Sequence, residues 1–458
     1  MRAELRFASL LIAGLSSLSV VAASSDSAGQ PYAIASRIEA HPYLRMPARP
    51  DGAIPKLLSQ TGAFKDTAHL VPSDELVPYD LIVPFWSDGA QKLRWIAMPV
   101  GKIDFSPSGE WVFPAGTVFV KTFELPVDAR DPKRKRRLET RLLMVQAGGL
   151  VYGVVYKWRP DLSDADLLPD SLTESVPIAN AAGQTHSQSW YYPSRKDCIT
   201  CHTKLSGGVL GVKSRQMNHD FVYRSDAPDK AGVSDNELRE WNHLGFFATP
   251  LREADIKDFP RLAASDDRSR SVEDRARSYL DANCSQCHRP GGTVAGFDAR
   301  YDTPLDRQEL VNGAVLIDQG IDRPRIISPH DIWRSIAYMR IDTVGDIRMP
   351  PIDRETIDER GVALMREWIE SMPGRPVLAP PLIEPAGGTF AKPVEIRLTE
   401  AQTDADIRYT LDGSVPGPSD PRYDKPIVLS GPTVVRARAF KEGFTRSITA
   451  QEVFVVAQ

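Results

Sequence analysis

Residues 197–202 read D-C-I-T-C-H and residues 283–288 read N-C-S-Q-C-H. The chain's four cysteines thus fall in two pairs of equal spacing, Cys198/Cys201 and Cys284/Cys287, each followed at once by a histidine, His202 or His288. Three chemistries use thiols in this way. A redox-active C-x-x-C disulfide belongs in a βαβ pattern that neither pair shows, and it has no use for the histidine. A zinc ribbon built from both pairs needs roughly 15–20 residues between them, and Cys284 lies far beyond that from His202. Covalent haem uses every residue written here. Two thiols one helical turn apart reach the two vinyl groups of one porphyrin, and the adjacent imidazole is held beneath the iron. The expectation is two covalently attached haem c groups, with His202 and His288 as proximal ligands.

Those residues need elements to present them. Before Cys284, Ser271 and Asp274 read as a capping box, and Val272, Ala276, Tyr279 and Leu280 recur at helical spacing. After His288, R-P-G-G-T reads as a turn. Beyond Met349 in R-M-P-P, the residues Ile357, Leu364, Met365, Trp368 and Ile369 share one helical face, with Asp353 predicted as N-cap and Pro373 as the stop. The first motif follows S-Q-S-W-Y-Y-P, which reads as extended chain. A helix is expected downstream, over Leu238, Trp241 and Leu244, capped by Ser234 and Glu237. The sixth position of the first iron is assigned to Met217, His219 or His243, or left open.

Helix, CxxCH, loops, Met-Pro-Pro and a closing Trp-Ile helix together resemble a class I cytochrome c domain. The longer string WYYPSRKDCITCH, GVLGVKSRQMNHD, NELREWNHLGFF, ANCSQCHRPGG and RMPP is similar to exported bacterial di-haem c-type cytochromes, over roughly residues 75–375. The resemblance implies a central all-α di-haem core and picks out Met349 as distal ligand of the second iron, ahead of Met339 and His330. Thioether ligation favours Fe(II).

The flanks read differently. Between Pro78 and Trp158 short runs of β-formers alternate with turns such as Gly148-Gly149 and Pro114-Ala115-Gly116, which predicts a β-sandwich. Alternation over Thr117–Leu125 sets Val118, Val120 and Thr122 on one face and Phe119, Lys121 and Phe123 on the other. No histidine lies between residues 70 and 185, so a copper site there is excluded. The run RDPKRKRR, Arg130–Arg137, reads as a solvated hairpin loop or as a docking patch for an acidic redox partner. Past a proline-rich linker, IRYTLDGSVPGPSDPRYDKPIVLSGPTVVRARAFKEGF resembles the C-terminal domain of chitobiases and β-hexosaminidases, which implies a small immunoglobulin-like sandwich and a glycan or cell-wall contact.

The N-terminus carries Arg2 and Arg6, an apolar run over Phe7–Ala23 and a small-x-small site before Ser24, the layout of a cleavable export signal. No later segment is long enough to span a membrane. A net charge of −4 gives no ground for a nucleic-acid partner. The expected organisation is a signal peptide (1–23), an extension (24–75), a β-sandwich (76–192), a di-haem domain (193–372), a linker (373–388) and an immunoglobulin-like domain (389–458). The expected role is electron transfer, in the periplasm or at the cell surface, between an extracytoplasmic redox enzyme and the respiratory chain. The alternative is a peroxidase- or oxygenase-type haem enzyme whose first haem is open to substrate.

Overall fold

The computed structural model describes residues 31–224, 232–293 and 295–457. The expected export signal lies outside the described residues. After a short antiparallel pair, β1 (Phe64–Asp66) and β2 (Val71–Pro72), six strands form an antiparallel meander in chain order. They are β3 (Leu76–Tyr79), β4 (Gln91–Ala97), β5 (Val118–Pro126), β6 (Lys135–Val145), β7 (Val151–Trp158) and β8 (Ala165–Leu167). The expected turn between β6 and β7 forms with Gly148 and Gly149 both at positive φ, 78° and 75°, where a side chain is disfavoured.

The period-2 alternation decides what covers each face. Val118, Val120, Leu142 and Met144 pack with Leu44, Met46, Leu58 and Phe64, so the N-terminal extension is part of this core and not a free tail. The opposite face, bearing Phe119 and Phe123, is covered in two places. The hairpin of β9 (Leu172–Ala179) and β10 (Thr185–Tyr192) packs Val176 and Trp190 on Phe123, while Trp111, Val209, Met217 and Trp241 pack around Phe119.

The expected central all-α core is not what the chain builds. Strand makes up 29% of the structure and helix 16%. Residues 193–372 hold α1 (Arg195–Cys201), α2 (Ser214–Met217), the hairpin β11 (Asp220–Tyr223) and β12 (Val233–Asn236), α3 (Glu237–His243), α4 (Val272–Cys284), α5 (Ile336–Ile341) and α6 (Glu359–Ser371), joined by long irregular stretches. Most of these helices are one or two turns long, too short to stand without the sheet beneath them.

Among the described residues only α4 and α6 reach 13 residues. They pack together through Ala276, Tyr279, Leu280, Leu364, Met365 and Trp368. Gly361 allows the approach, because a Cβ there would stand 2.4 Å from the Tyr279 ring. Two caps differ from expectation. Asp358, not Asp353, caps α6, accepting from the Gly361 N–H at 3.1 Å. Asn236, not Ser234, caps α3, since Ser234 is taken up by β12.

The C-terminal residues form two sheets over one core. β13 (Leu382–Glu384), β15 (Val394–Thr399) and β17 (Ile427–Leu429) make one. β14 (Gly388–Phe390), β19 (Ala450–Val456), β18 (Thr433–Phe440) and β16 (Asp406–Thr410) make the other. Ile396, Leu398, Val435, Ala437 and Phe454 fill the space between them. β13 lies inside the stretch expected to be linker, so the sandwich begins earlier than the proline content suggested. Among the described residues no helix is long and apolar enough to cross a membrane.

Candidate functional site

The first motif sits on a short capped helix laid against the meander. Ser194 accepts from the Asp197 N–H at 3.3 Å, and the Asp197 carboxylate accepts from the Ser194 N–H at 2.8 Å and from the Tyr191 hydroxyl at 2.8 Å. This reciprocal cap starts α1 immediately after β10. Cys198 rests on β7 at Gly153, where a Cβ would meet its Sγ at 2.9 Å. His202 ends the helix, donating its N–H to the Cys198 carbonyl at 3.0 Å.

Its imidazole is set up as a ligand. Nδ1 lies 2.8 Å from the Gly208 carbonyl, which can only accept, so Nδ1 carries the proton and Nε2 keeps its lone pair. Burial pushes the imidazole down to about 4, so it is neutral at physiological pH.

The second motif ends α4, which Ser271 caps by accepting from the Asp274 N–H at 3.1 Å. Burial pushes the His288 imidazole down to about 4, helped by the charge of Arg340. Its Nδ1 lies 3.2 Å from the Thr293 hydroxyl and its ring stacks on Phe297 with centroids 4.1 Å apart.

Buried ion pairs join the two motifs. Asp281 on α4 accepts from Lys213 at 2.8 Å and Arg215 at 2.9 Å; although burial opposes the charged form, these two cations hold its carboxyl well below the usual range. Arg289 donates to the Leu205 carbonyl at 3.1 Å and to Glu110 at 3.0 Å, so the residue after the second motif grips the turn after the first. The thiols of Cys201 and Cys287 are consequently neighbours, and their interaction raises the first and lowers the second. Burial raises Cys198 and pushes Cys284 up to about 12, so both stay thiols.

Met349 lies in the loop before α6. Its N–H donates to the Arg340 carbonyl at 2.9 Å. The buried Arg354 guanidinium donates to the carbonyls of Met349 (2.5 Å), Thr356 (3.0 Å), Thr343 (2.9 Å) and Ile341. One arginine therefore fixes this loop near the element whose charge acts on His288.

The first-iron candidates are placed elsewhere. Met217 is fully buried among the aromatic side chains around Trp241. His219 faces Glu237 at 3.2 Å. His243 stacks on Tyr32 at 3.6 Å and approaches the Ala35 carbonyl at 3.1 Å. None of the three lines the cleft beside His202.

That cleft lies between α1 and the Phe119–Phe123 face of the meander and opens to solvent; the space in and before it amounts to about 1400 Å³. Its walls include Cys198, Cys201 and His202 on one side and Lys92, Arg94, Lys121 and Arg141 on the other. Arg141 forms a bidentate pair with Asp353, 2.7 and 2.8 Å, and a second with Glu139, 2.7 and 3.1 Å. Asp353 is thus a counter-ion of the sheet rather than a helix cap. The alternation in β5 put Lys121 on this face; the sequence carried no signal for the other cations, since they join it only through strand pairing.

The donor set fits haem at both motifs. A porphyrin fills four positions of its iron, so the protein need provide only two thiols, one neutral imidazole and a sixth group or none. Among the described residues no three His, Cys, Asp or Glu side chains converge to hold a metal ion by themselves. The basic run Arg130–Arg137 is largely neutralised. Arg130 and Arg134 pair with Asp128, Arg136 with Glu174, and Lys135 and Arg137 with Glu124.

Residues 385–451 match the chitobiase/beta-hexosaminidase C-terminal domain. No curated protein matches the chain. The resemblance of residues 75–375 to exported di-haem cytochromes is corrected on two grounds: the matching family model lies wholly in the C-terminal module, and the central segment lacks the helical core that the resemblance implied.

Proposed function

We propose that this chain carries two covalently bound haem c groups and works as an extracytoplasmic electron carrier. The reading rests on the motifs and their local geometry, not on family. One observation carries it: each CxxCH ends in a partly buried, neutral histidine, and the thiols of the two motifs adjoin. Bound haem would supply an iron that cycles between Fe(III) and Fe(II). Cys198 and Cys201 form one pair of tethers, Cys284 and Cys287 the other. His202 and His288 ligate, the Gly208 carbonyl fixing the His202 tautomer. Met349 is assigned to the second iron, and Arg354 positions it.

Adjoining tethers suit passage of an electron between two centres in one protein. The outer contact is a redox partner protein, an extracytoplasmic enzyme on one side and the respiratory chain on the other. The C-terminal module supports a glycan or cell-wall contact that would hold the carrier in place. Near-infrared magnetic circular dichroism of wild type and Met349→Ala tests the ligand assignment. Loss of a methionine-ligated signature in the variant supports it, and identical spectra overturn it.

A second reading follows from the cleft beside His202, where none of Met217, His219 and His243 is in place. A five-coordinate first haem would make the protein a haem oxidoreductase. Binding of CO or cyanide at one haem favours this reading; a low-spin spectrum at both, indifferent to either ligand, rules it out.

A further inference from the structure

The cleft beside His202 holds more positive charge than its own acids neutralise. Strand register sets Arg94 of β4 opposite Lys121 of β5, and Lys121 opposite Arg141 of β6, three cations in one cross-strand row. Like charges directly opposite in a sheet are destabilising, so such a row needs negative charge nearby. Arg94 has Asp80, and Arg141 has Asp353 and Glu139. Among the described residues no carboxylate stands within ion-pair distance of Lys121 or Lys92. Lys92 donates to the Phe85 carbonyl at 2.8 Å, and the two ammonium groups lie 5.8 and 5.0 Å from the Phe123 ring centre. Partial burial, with the repulsion of the neighbouring cations added to it, pushes Lys121 down to about 7 and Lys92 well below its usual value.

We propose that Lys121 and Lys92 receive the carboxylates of a ligand seated on His202, and that these are the two propionates of the first haem. The inference rests on the reading that His202 holds haem. The chemistry matches: a porphyrin tethered at Cys198 and Cys201 keeps two anionic arms away from its thioether edge. The wall of the cleft facing the tethers supplies two unpaired cations. A free small carboxylate entering the cleft would present the same chemistry.

The test uses full-length holoprotein from a host that matures c-type cytochromes, as wild type, Lys92→Gln/Lys121→Gln and Lys92→Arg/Lys121→Arg. Thioether attachment does not involve the lysines, so the glutamine variant is expected to keep both haems by mass. Its resonance Raman spectrum should show the propionate bending band of one haem shifted and the other unmoved. The reduction potential of that haem should fall, because an uncompensated carboxylate favours Fe(III). The arginine variant should restore both. A glutamine variant with full haem content and an unmoved propionate band overturns this inference and leaves the haem reading standing. Calorimetric binding of citrate to wild-type holoprotein, lost in the glutamine variant while the band stays put, assigns the lysines to a free carboxylate and likewise overturns it. A wild type that acquires no haem overturns both.

Discussion

The Cys201 and Cys287 thiols, one from each CxxCH motif, are neighbours close enough to shift each other's titration. No spacing rule joins them; the contact is made by Asp281 pairing with Lys213 and Arg215 and by Arg289 reaching the Leu205 carbonyl and Glu110. Protein made without haem attachment should therefore be prone to a cross-motif disulfide. Treated with oxidised glutathione, each molecule loses two electrons and two protons from this thiol pair. Peptide mapping is expected to find Cys201 linked to Cys287, with Cys198 and Cys284 still free, since burial keeps both protonated. Recovery of linked Cys198–Cys201 and Cys284–Cys287 instead would show that the motifs do not adjoin in solution.

Arg354 organises the methionine loop. It is 2% exposed; besides reaching the Arg340 carbonyl at 3.3 Å, which also accepts from the Met349 N–H, it donates to four further loop and helix-end carbonyls. Arg354→Met leaves those carbonyls buried without a donor, at about 1–3 kcal/mol for each one that stays dry. Denaturant titration should show a loss of about 3 kcal/mol or more. A variant as stable as wild type would mean that water replaces the guanidinium.

The C-terminal sandwich is bound to the central segment through Asp322, which pairs with Arg438 (3.1 Å), Arg334 (3.2 Å) and Arg446 (3.3 Å). Arg438 and Arg334 are buried; Arg334 keeps Asp331 at 2.8 Å, but Asp322→Asn strands the charge of Arg438. Allowing for the partial exposure of Asp322, the cost should be about 2–3 kcal/mol. Limited proteolysis is expected to cut the variant within 373–381 faster than wild type. Equal cutting would show that apolar packing alone holds the module.

Glu237 and His219 make stability depend on pH. Burial pushes the Glu237 carboxyl up to about 7; for His219 burial acts the other way, but the hydrogen bond to Glu237 wins and raises it. Both groups bind protons more tightly folded than unfolded. Their contribution is thus complete below the unfolded carboxyl value of about 4.3 and is lost as pH rises through about 7. The midpoint of unfolding should fall between about pH 5 and 8 by an amount on the order of 2 kcal/mol in stability. Glu237→Gln should flatten that slope. A wild type with the opposite slope across this range would remove the buried pair as its cause.

What was legible in the sequence was local. The β5 alternation set Val118 and Val120 against the N-terminal residues and turned Phe119, Lys121 and Phe123 the other way. Ser271 capped α4 as its pattern required. The all-α expectation failed because good periodicity in two segments, around Tyr279 and around Trp368, was extended to the chain between them. There, Gly, Pro and Asp favour turns, and the backbone is held by pairs such as Asp298 with Arg300 (2.6 Å) instead of helical bonds. Asp353 looked like a cap because acids before a helix usually cap it; its carboxylate was claimed by Arg141, far away in sequence. The cationic row needed the register of three strands, which no single segment encodes.

The central claim is that both pentapeptides hold haem through thioether bonds. Its most direct test is the intact mass and denatured absorption spectrum of the protein purified from a host with cytochrome c maturation. The account predicts a mass above the polypeptide by two haem groups, and a pyridine haemochrome spectrum of the thioether type. A colourless protein with the mass of the bare chain would contradict it.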